Sequence, residues 1–90
     1  MKISFDPAKR ALALADRGLD FADAAKVFNG PVFEFEDDRF AYPERRIVTY
    51  GLLDGRLMAV VWAEAADGRR VISMRKANER EQARYRNRLA

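Results

Sequence analysis

The stretch RIVTYGLLDGRLMAVVWAEAADGRRVISMR, Arg46 to Arg75, decides the fold. It holds three runs of β-branched, aromatic and aliphatic residues, separated by Asp54-Gly55 and Asp67-Gly68. Asp-Gly between such runs is a strong signal for a tight hairpin turn, because the turn needs residues that tolerate positive φ. The reading is three consecutive antiparallel strands. The middle run, MAVVWA (Met58–Ala63), is almost wholly apolar, which predicts a central strand buried on both faces.

Towards the N-terminus, KISF (Lys2–Phe5) reads as a short strand. DPAKRALALADRG follows with helix punctuation: Asp6 as N-cap, Pro7 at the first helical position and Gly18 as the stop. Ala8, Ala11, Leu12 and Ala15 fit a narrow apolar stripe. LDFADAAKVFNG repeats the pattern, with Asp20 as N-cap and Asn29-Gly30 as the stop; Phe21, Ala24, Ala25 and Phe28 at helical spacing are read as facing a sheet. After Pro31, VFEFED alternates apolar and acidic residues as a half-exposed strand does. DRFAYPE reads as a loop.

On the other side, VISMRKANERE (Val71–Glu81) begins as a strand and ends as a helix. Asn78 and Glu81 have capping-box spacing and open a last helix to about Leu89. The order is β-α-α-β-β-β-β-α, an α+β domain with a mostly antiparallel sheet, read as one domain over residues 1–90. The last helix stacks Arg80, Arg84 and Arg88 at i, i+4 spacing, a self-repelling column, with Tyr85 and Leu89 as nearly its only large apolar residues. It should be a weakly held peripheral helix whose basic face meets acid: RNA, a partner protein, or the acidic N-terminal half of the same chain.

The 90-residue chain is 49% hydrophobic and 34% charged, which fits a folded domain. Cysteine and histidine are both absent, which removes disulfides, thiol nucleophiles, Cys-based zinc sites and the commonest acid–base side chain. MKISFDPAKR has no apolar core of a secretory signal and no run reaches membrane-span length, so the expectation is a cytoplasmic protein without membrane attachment. The net charge of +3 is segregated. Residues 1–38 carry 5 basic and 8 acidic side chains, and residues 69–90 carry 8 basic and 2 acidic ones. Thirteen of the 17 basic residues are arginine, whose planar fork suits phosphate and carboxylate. The pattern fits a polyanion binder, or a solvated basic face.

FDPAK, RGLDFADAAKVF, RIVTYG and RRVISMRKANERE, in that order and spacing, resemble the BrnT family of bacterial toxins. The resemblance runs from about Ile3 to Arg86. It implies a RelE-like ribonuclease fold, translation inhibition by RNA cleavage, neutralisation by a BrnA-type antitoxin with a ribbon-helix-helix part, and operator DNA binding only through that complex. There are departures. Asp16-Arg17-Gly18 stands where the family often has Lys-His-Gly, and the loop DDRFAYPERR lacks a histidine that the family often carries. By position, Arg46, Glu64, Arg70, Arg75 and Lys76 match family positions.

RNA cleavage needs no metal or other cofactor if the neighbouring 2′-hydroxyl attacks phosphorus; it needs in-line positioning, charge stabilisation, a base and an acid. Arg75 and Lys76 at the strand-to-helix corner are assigned to phosphate binding and transition-state stabilisation, beside a helix N-terminus. Arg70 and Arg75 are five apart and point to opposite faces by strict alternation, so one site for both requires Arg75 to lie past the strand end. Arg46 could reach the same surface or pair with Glu44 or Glu64. Glu64 could act as general base or orient an arginine. Arg80, Arg84 and Arg88 are candidate RNA contacts, and Tyr85 is a candidate acid or base-stacking platform, or simply packs its helix. EFEDD, Glu34–Asp38, could hold a divalent cation, but is read as a solvated strand edge or a patch pairing with basic segments; no metal site is assigned. Trp62 is read as core. The competing functional class is a non-catalytic interaction module, including an inactive toxin that still acts as co-repressor with its antitoxin.

Overall fold

The computed structural model describes residues 2–90. Its elements run β1 (Lys2–Ser4), α1 (Pro7–Arg17), a 3-10 turn (Phe21–Asp23), α2 (Ala24–Asn29), β2 (Val32–Glu36), β3 (Arg46–Leu53), β4 (Arg56–Ala65), β5 (Gly68–Lys76), α3 (Glu79–Tyr85) and a second 3-10 turn (Arg86–Arg88). The five strands form one sheet in the order β1-β5-β4-β3-β2. All neighbours are antiparallel except β1 and β5, which run parallel. This is the α+β layout the sequence predicts, with MAVVWA in the central strand.

β4 is buried on both faces because each face has its own cover. Met58, Val60 and Trp62 pack with Phe21, Ala24 and Val27 from the α1/α2 side. Leu57, Ala59 and Val61 pack with Val48, Tyr50, Tyr85 and Leu89 on the α3 side. Trp62 is core as expected, and its indole N–H donates to Thr49 Oγ1 at 2.7 Å. The apolar stripe proposed for α1 is not the buried one: only Ala13 is buried there, while Leu12 and Leu14 are 62% and 41% exposed. Asp6 and Gly18 do cap α1, the latter at φ 67°. Asp20 caps the 3-10 turn rather than an α-helix, accepting from Ala22 N at 2.9 Å.

The two hairpins differ. Asp54 and Gly55 form the first turn, both at positive φ (51° and 78°), as their sequence demands. The second turn falls on Ala66-Asp67, because Ala65 already pairs with Gly68. Gly68 is needed instead for close approach: a Cβ there would lie 2.0 Å from the Lys2 carbonyl oxygen of β1. The register of β5 then shifts once, since Val61 pairs with Ser73 whereas Trp62 pairs with Val71. Ile72 is the extra residue of a β-bulge.

Candidate nucleic-acid interface

The bulge organises the α3 face of the sheet. Residues directly opposite one another share a face, and alternate residues return to it. Three rows therefore cross β3, β4 and β5 on the α3 side: Tyr50–Ala59–Arg75, Val48–Val61–Ser73 and Arg46–Ala63–Arg70. Arg70 and Arg75 share this face while both lie inside β5, so Arg75 need not pass the strand end. The sequence reading of opposite faces fails because the extra residue resets the alternation. The outer rows are four residue steps apart along β4, a spacing of about 14 Å at about 3.4 Å per residue.

Arg75 is the centre of a hydrogen-bond cluster. Its Nη1 and Nη2 donate to Oε1 and Oε2 of Glu81 at 2.7 and 2.8 Å. Glu81 also accepts from the Tyr50 hydroxyl and from the Asn78 backbone N–H. The Asn78 side chain accepts from Glu81 N at 2.8 Å, completing the capping box. Hydrogen bonding from Arg75 holds the Glu81 carboxyl down to about 2, well below the usual carboxylate range. Burial, then the Glu81 carboxylate, push the Tyr50 phenol above its ordinary value. At neutral pH the cluster therefore holds a carboxylate, a guanidinium and a protonated phenol. The helix N-terminus foreseen as an anion site belongs to a seven-residue helix whose capping box already engages it.

Beside the cluster lies a cleft of about 350 Å³. It is lined by Val48, Val61 and Ser73 of the sheet, by Arg75, Glu81 and Tyr85, and by Phe35 with the Glu36–Arg39 segment; the Phe35 and Tyr85 rings pack together with centroids 5.8 Å apart. Tyr85 stacks on Tyr50 with ring centroids 4.3 Å apart and on Phe33 at 5.4 Å. It packs its helix onto the sheet, and its ring still reaches the cleft. Phe35 keeps 37% of its surface exposed.

The candidate residues divide between the faces. Arg70 is exposed at one end of the α3 face. Arg46 begins the same row but folds away: its Nε donates to Glu44 at 3.1 Å and its guanidinium lies 4.0 Å from the Tyr42 ring. Lys76 pairs with Met58 and so faces the α1/α2 side, among Asp20, Asp23 and Arg56. Glu64 pairs with Arg69 and faces that side too, beside Trp62, Arg45 and Glu36. One site holding all five is thus not formed, because adjacent strand residues cannot point the same way. The carboxylates of EFEDD are largely engaged by donors: Glu34 accepts from Thr49, Glu36 from Arg45, and Asp37 from Arg39 and Tyr42. Among the described residues no group of three or more acidic side chains could hold a metal ion.

The arginine column of α3 is broken after Arg84, where the helix ends and the chain tightens to 3-10 form. Arg88 then lies over Phe33 at 5.5 Å, Arg84 over Tyr85 at 5.6 Å, and Arg86 donates to the Gly55 carbonyl. Among the described residues no ion pair joins Arg80, Arg84 or Arg88 to a carboxylate; the N-terminal acidic residues pair with Arg10, Lys26, Arg39 and Arg45 instead. Among the described residues, the N-terminal half of the chain thus supplies no ion pair to these arginines.

Tyr50, Ser73, Phe35 and Glu81 were missing from the sequence reading of the site. Tyr50 was recoverable, since the two-residue turn at Asp54-Gly55 fixes Tyr50 opposite Ala59. In the sequence Glu81 reads only as a cap. No curated protein matches the chain. The family model described as "Ribonuclease toxin, BrnT, of type II toxin-antitoxin system" matches residues 5–81, a span that contains every strand after β1, the bulge and the whole Arg75–Tyr50–Glu81 cluster. The chain belongs to the BrnT family of ribonuclease toxins of type II toxin–antitoxin systems.

Proposed function

We propose that this chain is a metal-independent endoribonuclease that inhibits translation by cleaving RNA, and that a BrnA-type ribbon-helix-helix antitoxin neutralises it in the cytoplasm. Operator DNA is bound only by the toxin–antitoxin complex. The observation that carries the reading is the α3 face: Arg75 beside a cleft, Arg70 two rows along, and the unpaired arginines of α3 at its edge. Arg75 presents a fork matched to two non-bridging phosphate oxygens, and stabilises the charge that develops on phosphorus as the 2′-hydroxyl attacks. Arg70 takes a second phosphate of the same strand. Phe35 and Tyr85 offer ring surface to an unstacked base.

The Tyr50 phenol stays protonated and can donate to an oxyanion. The chain offers no histidine as base or acid, so the rate leans on in-line positioning and on Arg75, with the ribosome assisting. Lys76 and Glu64, turned to the other face, are outside this site. The test is cleavage of a single-stranded RNA in excess chelator. The expected product ends in a 2′,3′-cyclic phosphate, at a rate the chelator leaves unchanged. Activity lost in chelator and restored by magnesium would overturn the mechanism.

A second reading has one observation in its favour. Both Nη groups of Arg75 are already bonded to Glu81, and the chain has no histidine. A chain locked in that state would be an inactive toxin serving as co-repressor. Expression without an antitoxin separates the two readings, since only the enzyme arrests growth.

A further inference from the structure

We infer that Glu81 occupies the toxin's own phosphate subsite, and that α3 must release Arg75 before RNA can bind there. The inference rests on the assignment of Arg75 to phosphate. A carboxylate and a phosphodiester present the same pair of oxygens to a guanidinium fork, and Glu81 fills both arms of it at 2.7 and 2.8 Å. The Tyr50 hydroxyl, the other donor aimed at the same point, is also bound to Glu81. Two donors that would hold a phosphate thus hold a side chain of the same molecule.

The element that carries Glu81 can move. α3 has seven residues, none of them fully buried; Glu81, Gln82 and Tyr85 are half-buried and the rest are exposed. Besides the Glu81 bonds, its hold on the sheet comes from the packing of Tyr85 on Tyr50, Phe33 and Phe35, Arg88 over Phe33, the partly buried Leu89, the Arg86 bond to Gly55, and a pair of 3.2 Å backbone bonds between Ala90 and Val32. Its unpaired arginines gain when a polyanion arrives, which offsets part of the cost of breaking the Arg75–Glu81 pair. RNA therefore competes with an internal ligand, and the free toxin binds more weakly than its arginines alone would allow.

The experiment measures affinity for a short single-stranded RNA made non-cleavable by 2′-O-methylation, using wild type, Glu81→Gln, Arg75→Ala and the double variant. Gln keeps the capping position but loses the charge that fills the fork. Glu81→Gln should bind about tenfold more tightly than wild type, and the gain should vanish in the Arg75→Ala background. Weaker binding by Glu81→Gln would overturn the inference and make Glu81 a residue that holds Arg75 in position for RNA. If Arg75→Ala binds like wild type, the phosphate assignment itself fails. Should Glu81→Gln unfold, hydrogen exchange on the wild-type chain decides the matter. Amides of Gln82–Arg86 should exchange faster when this RNA is bound, whereas slower exchange would mean that α3 stays seated and the inference is wrong.

Discussion

Glu81 does two jobs that pull on one side chain: it caps α3 and it neutralises Arg75. Its carboxyl is depressed in the folded chain, so its contribution to stability is fully present above its ordinary value, near 4.5, and is lost as pH falls towards about 2. Asp20, held by Arg10, is likewise lowered to about 2, and Asp37 is lowered by Arg39. All three have the same sign, so the chain should lose stability steeply between pH 5 and 2. Glu81 sits at 14% side-chain exposure, so its share is on the order of 2 kcal/mol after allowing for solvent screening. Glu81→Gln should therefore be less stable at pH 7 and show a flatter profile on acidification. Denaturant midpoints at pH 7 and pH 3 measure this. A profile parallel to wild type would mean that Arg75 does not hold the carboxylate ionised. Glu81 was visible in the sequence only as the third residue of a helix, because a local pattern identifies a cap but not a partner across the sheet.

At the level of elements, strand and helix content was legible wherever local chemistry decides it. Asp54-Gly55, Asp6-Pro7, Gly18 and Asn78 with Glu81 each do what their residue types require. What escaped was register. Asp67-Gly68 looks like a turn, yet Gly68 is spent on the close approach of β1, a contact between segments far apart in sequence. The Ile72 bulge has no marker of its own, and without it Arg70 and Arg75 fall on opposite faces. α1 differs for another reason: its apolar residues do gather on one side, but that side, with Leu12 and Leu14, is turned to solvent, and the buried residue is Ala13 on the charged side. Gly68→Ala gives the element-scale prediction. Its Cβ must displace β1 from β5, so the variant should lose about 1–3 kcal/mol in denaturant unfolding. A change within about 0.5 kcal/mol would show that β1 contributes little to the sheet.

Across the whole molecule, the ion pairs are unevenly distributed. Four of the eight carboxylates of residues 1–38, those of Asp20, Asp23, Glu36 and Asp37, are paired with nearby basic side chains, while Arg70, Arg80 and Arg84 lack carboxylate partners among the described residues. RNA affinity should fall steeply with salt, by a slope of about 0.7 per phosphate contact, and Arg84→Glu should reduce both affinity and slope. The antitoxin complex should survive salt that releases RNA, if it rests on apolar burial; equal salt sensitivity would place the antitoxin on the basic face. The central claim is that the α3 face, and not the opposite one, does the chemistry. Adjacent residues of β5 test it directly, because Arg75 and Lys76 are both basic and point to opposite faces. The measurement is the rate of RNA cleavage by folded Arg75→Ala and Lys76→Ala, compared with wild type. The account predicts a loss of at least about a hundredfold for Arg75→Ala and a near wild-type rate for Lys76→Ala; an Arg75→Ala enzyme that cleaves normally, or a Lys76→Ala enzyme that fails equally, would contradict it.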